Sequence, residues 1–310
     1  MSDNTAVINR IKEVICSERV HEAEAMTAHT SFRIGGPADA FVEVANEEEL
    51  AAVLKIVTET GAEHMLIGNG TNLLVSDDGY PGIMIKLAGD FESIVQDASD
   101  ETVVTVGGAK LLSSVSAFLT EHSLAGFEFA SGIPGTIGGA MFMNAGAYGG
   151  EMKDIVTSVK LMTPDGAKTF ERSNDEMGFG YRHSSIQEDG SIVLSATFKL
   201  EKDDKAAITA RVAELQEKRN SKQPVNFPSA GSTFKRPVGG YAAALIEEAG
   251  LKGYNVGGAE VSEKHSGFVI NKGGATCEDV LDLMCHVQRT VKEMSGITLE
   301  LEVRLINCKL

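Results

Sequence analysis

Apolar side chains at Val7, Ile8, Ile11, Val14 and Ile15 fall on one stripe at helical spacing, which predicts an opening amphipathic helix. After a linker, the second half of HTSFRIGGPADAFVEV, His29 to Val44, alternates apolar and polar residues as a strand does. Asn46 followed by Glu49 is an N-cap signature, with Asn in place of the Ser or Thr of a capping box. Leu50, Val53, Leu54 and Val57 then form the buried stripe of a helix that Gly61 ends. HMLI, His64 to Ile67, is the next strand. Together these make a βαβ unit of about 30 residues, the size of a crossover between parallel strands.

Further on, GIMIKL and ETVVTV read as short strands and Lys110 to about His122 as a helix. Val156 to Met162 and Lys168 to Arg172 flank the turn signal PDG and predict a hairpin, and SIVLSATFKL, Ser191 to Leu200, is another strand. Composition shifts near Leu200. Asp203 to Arg219 predicts a charged amphipathic helix, and Lys222 to Phe234 a Pro- and Gly-containing loop. Helices follow around Tyr241 to Ala249 and Cys277 to Met294, with the strand GFVIN between them and Thr276 and Asp279 capping the second. The closing ITLELEVRLI alternates cleanly: Leu299, Leu301, Val303 and Leu305 face one way, Glu300, Glu302 and Arg304 the other. Mixed strands with occasional helices point to α+β rather than a doubly wound sheet. Residues 205–296 read as a separate domain.

Glycine breaks this pattern in two places. The run SGIPGTIGGAMFMNAGAYGG spans Ser131 to Gly150, and GNGTNLL spans Gly68 to Leu74 directly after an apolar strand. Glycine removes the Cβ and permits backbone angles that other residues avoid, at an entropic cost. Two such loops suggest an extended ligand held by backbone N–H groups. Neither matches GxGxxG or GxxxxGK[ST], so the dinucleotide-binding and P-loop motifs are not supported.

The chain has 310 residues, 43% apolar and 23% charged, so it can bury a sizeable core in one to three domains. No apolar run approaches the roughly 20 residues of a membrane span, and the polar start MSDNTAVINRIKEVI has no signal-peptide core. Cys16, Cys277, Cys285 and Cys308 form no CxxC pair, which favours a reducing cytoplasm and indicates neither a disulfide framework nor a metal site. A net charge of −16 argues against nucleic acid or an anionic membrane as the main partner. Small anionic ligands remain open to local Arg and Lys clusters.

Taken alone, the polar motifs leave alternatives open. In FGYRHSS, Phe179 to Ser185, Arg182 suits a carboxylate through its planar fork, although a surface arginine is the better reading from spacing. In SAGSTFKRP, Ser229 to Pro237, Ser232 lacks the GxSxG context of a hydrolase nucleophile; a turn serine comes first, a ligand-bonding or proton-donating hydroxyl second. Glu302 and Arg304 share a strand face that is solvated unless it looks into a cleft. His265, before a strand, suits a cap or a ligand contact equally.

The ordered set TSFRIGGPA, LIGNGTNLL, GFEFASGIPGTIGGAMFMNAGAYGGE, FGYRHSS, KRNSKQP, SAGSTFKRP and LEVRLI covers nearly the whole chain. It resembles the flavoenzyme family of UDP-N-acetylenolpyruvoylglucosamine reductases, which serve bacterial peptidoglycan precursor synthesis and with it cell shape and division. The absence of a long insertion between Gly240 and Gly258 matches the family's shorter form, without a substrate-capping tyrosine loop. The resemblance implies three parts: residues 1–88, joined by the C-terminal strand 297–310, and residues 89–204 as the two lobes of a vanillyl-alcohol-oxidase-type FAD domain, and residues 205–296 as an α+β substrate domain.

It also implies non-covalent FAD, NADPH as hydride donor, a UDP-sugar substrate and no obligatory protein partner. Contacts to FAD would come from Arg33, from Gly68, Asn69, Gly70, Thr71, Asn72 and Leu73, and from Ser131, Ile133, Pro134, Gly135, Thr136, Gly138 and Gly139, with Asn144 and Gly146 close by. Arg182 would bind the developing negative charge, Glu302 would assist it, and Ser232 would deliver the final proton. Lys222, Lys235, Arg236 and His265 would meet the sugar nucleotide's diphosphate and uridine. Competing readings are an FAD oxidase or dehydrogenase of the same fold, acting on an alcohol or hydroxy acid, and a non-catalytic flavin or nucleotide carrier. The lack of His or Cys inside either glycine loop counts against the covalent flavin common in such oxidases.

Overall fold

The apolar stripe of the opening residues forms the helix Thr5–Val14, which buries Val7, Ile8 and Ile11. Ile15 is buried just beyond it, whereas Val14, at the stripe's edge and the helix's last residue, is 41% exposed. These side chains share a core with Leu50, Val53, Leu54 and Val57 of the helix Glu47–Thr60. Asn46 caps that helix by accepting from the Glu49 N–H at 2.9 Å, and Gly61 ends it in the left-handed region at φ 65°.

The computed structural model describes residues 4–310. The chain divides into two compact units. The first holds residues 4–21, Ala40–Gly68 and Gly82–Arg219; the second holds Glu22–Asp39, Asn69–Pro81 and Asn220–Leu310. No helix among the described residues is long and apolar enough to cross a membrane.

The predicted βαβ unit forms, with two strands added. Its four-stranded sheet runs in the order Val20–Ala25, Pro37–Val44, Tyr80–Leu87, His64–Ile67. The later strand Tyr80–Leu87 thus inserts between the two that the crossover helix connects, and pairs in parallel with His64–Ile67, His64 opposite Ile83. A five-stranded antiparallel sheet follows in the order Thr169–Ser173, Val156–Met162, Ile192–Lys199, Val103–Gly107, Ile94–Gln96. Its first pair is the hairpin predicted around PDG. Val104, Val106, Val159, Leu161 and Phe198 of this sheet pack with Leu112, Val115 and Leu119 of the helix Leu112–Glu121 and with Ile137, Ala140 and Met141 of the helix Ile137–Met143. The glycine run is therefore not loop throughout: it carries a short helix, capped by the Thr136 hydroxyl, which accepts from Gly139 N–H at 3.3 Å.

In the second unit, the helix Cys277–Ser295 carries the predicted capping box of Thr276 and Asp279. It buries Val280, Leu283, Met284, Val287 and Val291 in a core shared with an antiparallel sheet ordered Ser229–Ser232, Phe268–Asn271, Ala259–Val261, Asn255–Val256. The segment predicted as loop, Lys222 to Phe234, therefore contains a strand. SAGS has no apolar alternation to announce one; the backbone of Phe268–Asn271 makes it. The single closing strand is also divided. Residues 300–302 bond to 233–235, with Lys235 N–H donating to Glu300 O at 2.8 Å and Glu302 N–H to Thr233 O at 2.9 Å. Arg304–Ile306 pairs instead in parallel with Leu73–Val75. The chain changes partner at Val303, so one continuous ladder cannot form.

Candidate active site

In the first unit Gly68, which opens the shorter glycine loop, meets the longer glycine run. A Cβ on Gly68 would stand 2.8 Å from the Thr136 hydroxyl, and one on Gly138 would stand 3.1 Å from the Gly108 carbonyl. Ile67, Gly68, Gly108, Thr136, Gly138 and Phe142 line one cleft there, and Lys86 adds a cation to its wall. The Ser131 hydroxyl is buried with no hydrogen-bond partner among the described residues. Beside it, a Cβ on Gly132 would stand 2.7 Å from the Arg219 Nε. Arg219 lies over the Tyr148 ring at 5.9 Å, and burial lowers its pKa from the ordinary arginine value. A cradle that a side chain would fill, an unsatisfied buried hydroxyl and nearby cations fit an extended phosphate-bearing cofactor such as FAD.

The other residues expected on this side serve partly as scaffold. Gly135 has φ 157° and its carbonyl accepts from Leu112 N–H at 3.0 Å. Ile133 N–H closes a turn on Ala130 O at 3.0 Å, and Pro134 is exposed. Gly146 pairs with Glu151 in a small hairpin, where a Cβ would strike Glu151 Cβ at 2.8 Å. Asn144 is 1% exposed and sits at φ 41° just after the helix Ile137–Met143. Its side-chain amide donates to Glu151 Oε2 at 2.8 Å and to Gly180 O at 3.0 Å, while its Oδ1 accepts from Lys153 N–H at 3.0 Å.

Arg182 occupies a tight antiparallel turn. Gly180 N–H donates to His183 O at 3.0 Å, and His183 N–H returns to Gly180 O at 3.2 Å. Arg182 adopts φ 55°, and its guanidinium lies 5.3 Å from the centroid of the Tyr181 ring.

In the second unit, the antiparallel contact described above brings Ser232 and Glu302 onto neighbouring segments. Ser232 ends a bulged strand opposite Phe268, and Gly231 before it, at φ 78°, opens onto free space. Thr233 is buried; its hydroxyl accepts from Val269 N–H at 3.0 Å and its carbonyl accepts from Glu302 N–H at 2.9 Å. The Asn72 amide donates to the Glu302 carbonyl at 2.9 Å, so an asparagine of the first glycine loop holds Glu302 from its other side. Leu73 is buried opposite Arg304. Gly70 is forced by its surroundings: at φ 59°, a Cβ would lie 1.9 Å from the His29 carbonyl. Thr71 is half-buried, Asn69 is exposed, and Arg33 is exposed at φ 55°.

The expected sugar-nucleotide contacts are spread over several segments of this unit. Lys222 is exposed at the last position of the helix Lys205–Lys222. Lys235 approaches Glu300 at 3.6 Å, and Arg236 stacks over Tyr241 at 4.6 Å. Burial lowers the pKa of His265, and its Nδ1 accepts from Gly267 N–H at 3.2 Å. A neutral ring with that acceptance carries its proton on Nε2 and offers a hydrogen bond rather than a charge.

Sequence reasoning missed Arg219, Gln187 and Asp77. An arginine in a charged helix looks like solvent-facing charge, and nothing in the sequence marked Arg219 as buried. Asp77 and one of the two Gln187 contacts act on backbone groups distant in sequence, for which no local signal exists.

Residues 38–169 match the family described as FAD binding domain, and residues 223–306 match the UDP-N-acetylenolpyruvoylglucosamine reductase C-terminal domain. The UDP-N-acetylenolpyruvoylglucosamine reductase of Lachnoclostridium phytofermentans is 47% identical over 307 residues, 99% of either chain. That of Clostridioides difficile is 47% identical over 98% of this chain and 99% of its own. The crystal structure of UDP-N-acetylenolpyruvylglucosamine reductase from Thermus caldophilus matches with a TM-score of 0.78 at 37% identity, covering 91% of this chain and 97% of that one. With an α+β fold, a glycine cradle fit for FAD and likeness running almost end to end, the chain belongs to the UDP-N-acetylenolpyruvoylglucosamine reductase family.

Proposed function

We propose that this protein reduces UDP-N-acetylglucosamine enolpyruvate to UDP-N-acetylmuramate, with NADPH as hydride donor, in the cytoplasm. Family membership at 47% identity over nearly the full length is the observation that carries this reading. FAD, held non-covalently, would take hydride from NADPH and give it to the vinyl carbon of the sugar. Gly68 to Leu73 and Ser131 to Gly139 would hold its diphosphate and adenosine through backbone N–H groups, with Ser131 supplying a hydroxyl. In this reading the chain acts as three parts, 1–88 with 297–310, 89–204 and 205–296.

Hydride addition leaves negative charge on the carbon that bears the carboxylate, and preorganised donors must meet it. Arg182 binds that carboxylate through its planar fork. Ser232 donates its hydroxyl proton to the same carbon, and the open space at Gly231 gives the substrate room to approach it. A hydroxyl is a weak acid, so the transfer works only toward a strongly basic carbon. Glu302, held beside Ser232 through Thr233, assists by hydrogen bonding. Lys222, Lys235 and Arg236 receive the diphosphate, and His265 donates from Nε2 to the nucleotide.

Anaerobic visible spectra test the reaction. A yellow protein should bleach with NADPH and recolour with the enolpyruvyl sugar nucleotide. A protein that FAD cannot colour overturns the reading, and one that recolours only with oxygen is an oxidase. Ser232→Ala should bleach normally and recolour roughly 10²–10⁴-fold more slowly, the range of general acid catalysis. Recolouring at the wild-type rate removes Ser232 as proton donor.

A further inference from the structure

Resting on the reading of Arg182 as the carboxylate-binding residue, we propose that Asn144 and Gln187 are its positioning residues, fixing the turn that carries it to the end of the helix Ile137–Met143. A two-residue turn does not by itself select the conformation of Arg182. At φ 55°, the second central position of such a turn favours Gly or Asn, and an arginine there is strained. Something outside the turn must hold it.

Asn144 holds the entry. Its amide donates to Gly180 O at 3.0 Å, the carbonyl at which the turn begins. The same amide is fixed by Glu151 Oε2 at 2.8 Å, and Oδ1 is fixed by Lys153 N–H at 3.0 Å. Both hydrogens of the side-chain amide are therefore committed, and Oδ1 already accepts one bond.

Gln187 holds the exit. Its amide donates to Arg182 O at 3.1 Å and to Phe142 O at 2.6 Å. Ser184 Oγ donates to the same Phe142 carbonyl at 2.8 Å. Phe142 O belongs to the last turn of its helix, where carbonyls lack intrahelical partners. The Arg182 segment thus supplies the partners that the helix end needs, and the helix end returns a fixed backbone on both sides of Arg182. Bidentate recognition of a carboxylate depends on that orientation, because misplacement by about 1 Å can cost about 10²-fold.

Gln187 is exposed, so Gln187→Ala should leave folding intact. Asn144→Gly removes the amide while keeping the left-handed backbone free of strain. Both are compared with Arg182→Ala in anaerobic half-reactions. The expected result for Gln187→Ala is flavin reduction by NADPH within about twofold of wild type, and for both variants reoxidation by the enolpyruvyl sugar slowed roughly tenfold or more. Binding of UDP-N-acetylmuramate, which bears the carboxylate, should weaken by a similar factor, while binding of UDP-N-acetylglucosamine, which lacks it, should not change. Wild-type reoxidation in both variants beside a slow Arg182→Ala overturns the positioning role alone. Wild-type reoxidation in Arg182→Ala removes the Arg182 reading and the positioning role with it. Equal slowing of both half-reactions assigns the clamp to the cofactor's seat and overturns the proposal. Should Asn144→Gly fail to fold, Gln187→Ala decides.

Discussion

Single side chains here often act on backbone far from them in sequence. Glu49 shows how much one carboxylate can do. Arg19 grips it with two hydrogen bonds, 2.7 and 2.6 Å, and the Ala45 N–H donates to it at 2.7 Å. The Arg19 contact is the main reason its pKa lies below the usual carboxylate value. Glu49→Gln should cost about 2 kcal/mol at neutral pH, as the loss of a charge-assisted pair that is mostly shielded from solvent. A carboxylate with a depressed folded pKa stabilises above its unfolded pKa, and that contribution is lost as pH falls through the folded one. The gap between wild type and Glu49→Gln should therefore be full at pH 7 and shrink below about pH 4, read from denaturant midpoints. The sequence showed the Asn46 to Glu49 cap because capping is local; it could not show Arg19, thirty positions away in the chain.

At the scale of elements, helices were legible where stripe and cap agreed. The helix Cys277–Ser295 has both, and the structure adds a second cap from another segment. The Asp77 carboxylate accepts from Cys277 N–H at 2.9 and 2.8 Å and from Glu278 N–H at 3.3 Å. Negative charge at a helix N-terminus is stabilising, and these N–H groups have no partner within the helix. Asp77→Ala should lower stability by about 1 kcal/mol, with Asp77→Asn retaining part of it, measured by chemical denaturation. Unchanged midpoints in both would show that Thr276 and water suffice. The helix Ile137–Met143 was invisible for the opposite reason. Glycine disfavours helix and the element is too short to stand alone, so Thr136 and the packing of Ile137, Ala140 and Met141 must create it.

For the whole molecule, charge is the property most visible in composition. The net charge of −16 repels an anionic ligand at long range, while Lys222, Lys235 and Arg236 are proposed to attract it at contact. At 0.1 M salt the screening length is about 10 Å, so distant repulsion is already damped and further salt acts mainly on the nearby cations. Affinity for the sugar nucleotide should fall between 0.1 and about 0.5 M salt, measured by calorimetry. A flat affinity would remove those three side chains from the binding account.

The sequence by itself determined the α+β character, the crossover around Glu47–Thr60, the PDG hairpin, the helix caps and the ordered motifs that carry the family likeness. All of these are written in neighbouring residues, as periodicity, turn chemistry or contiguous phrases. Only the tertiary structure decided that Tyr80–Leu87 inserts between the crossover's strands, that SAGS becomes a strand, and that the C-terminal segment changes partner at Val303. It alone put Glu302 beside Ser232 and tied Asn72 and Asn144 to the backbone around Glu302 and Arg182. Backbone pairing between distant segments leaves no local pattern, because every residue offers the same N–H and C=O. Which of them meet is settled only when the cores close.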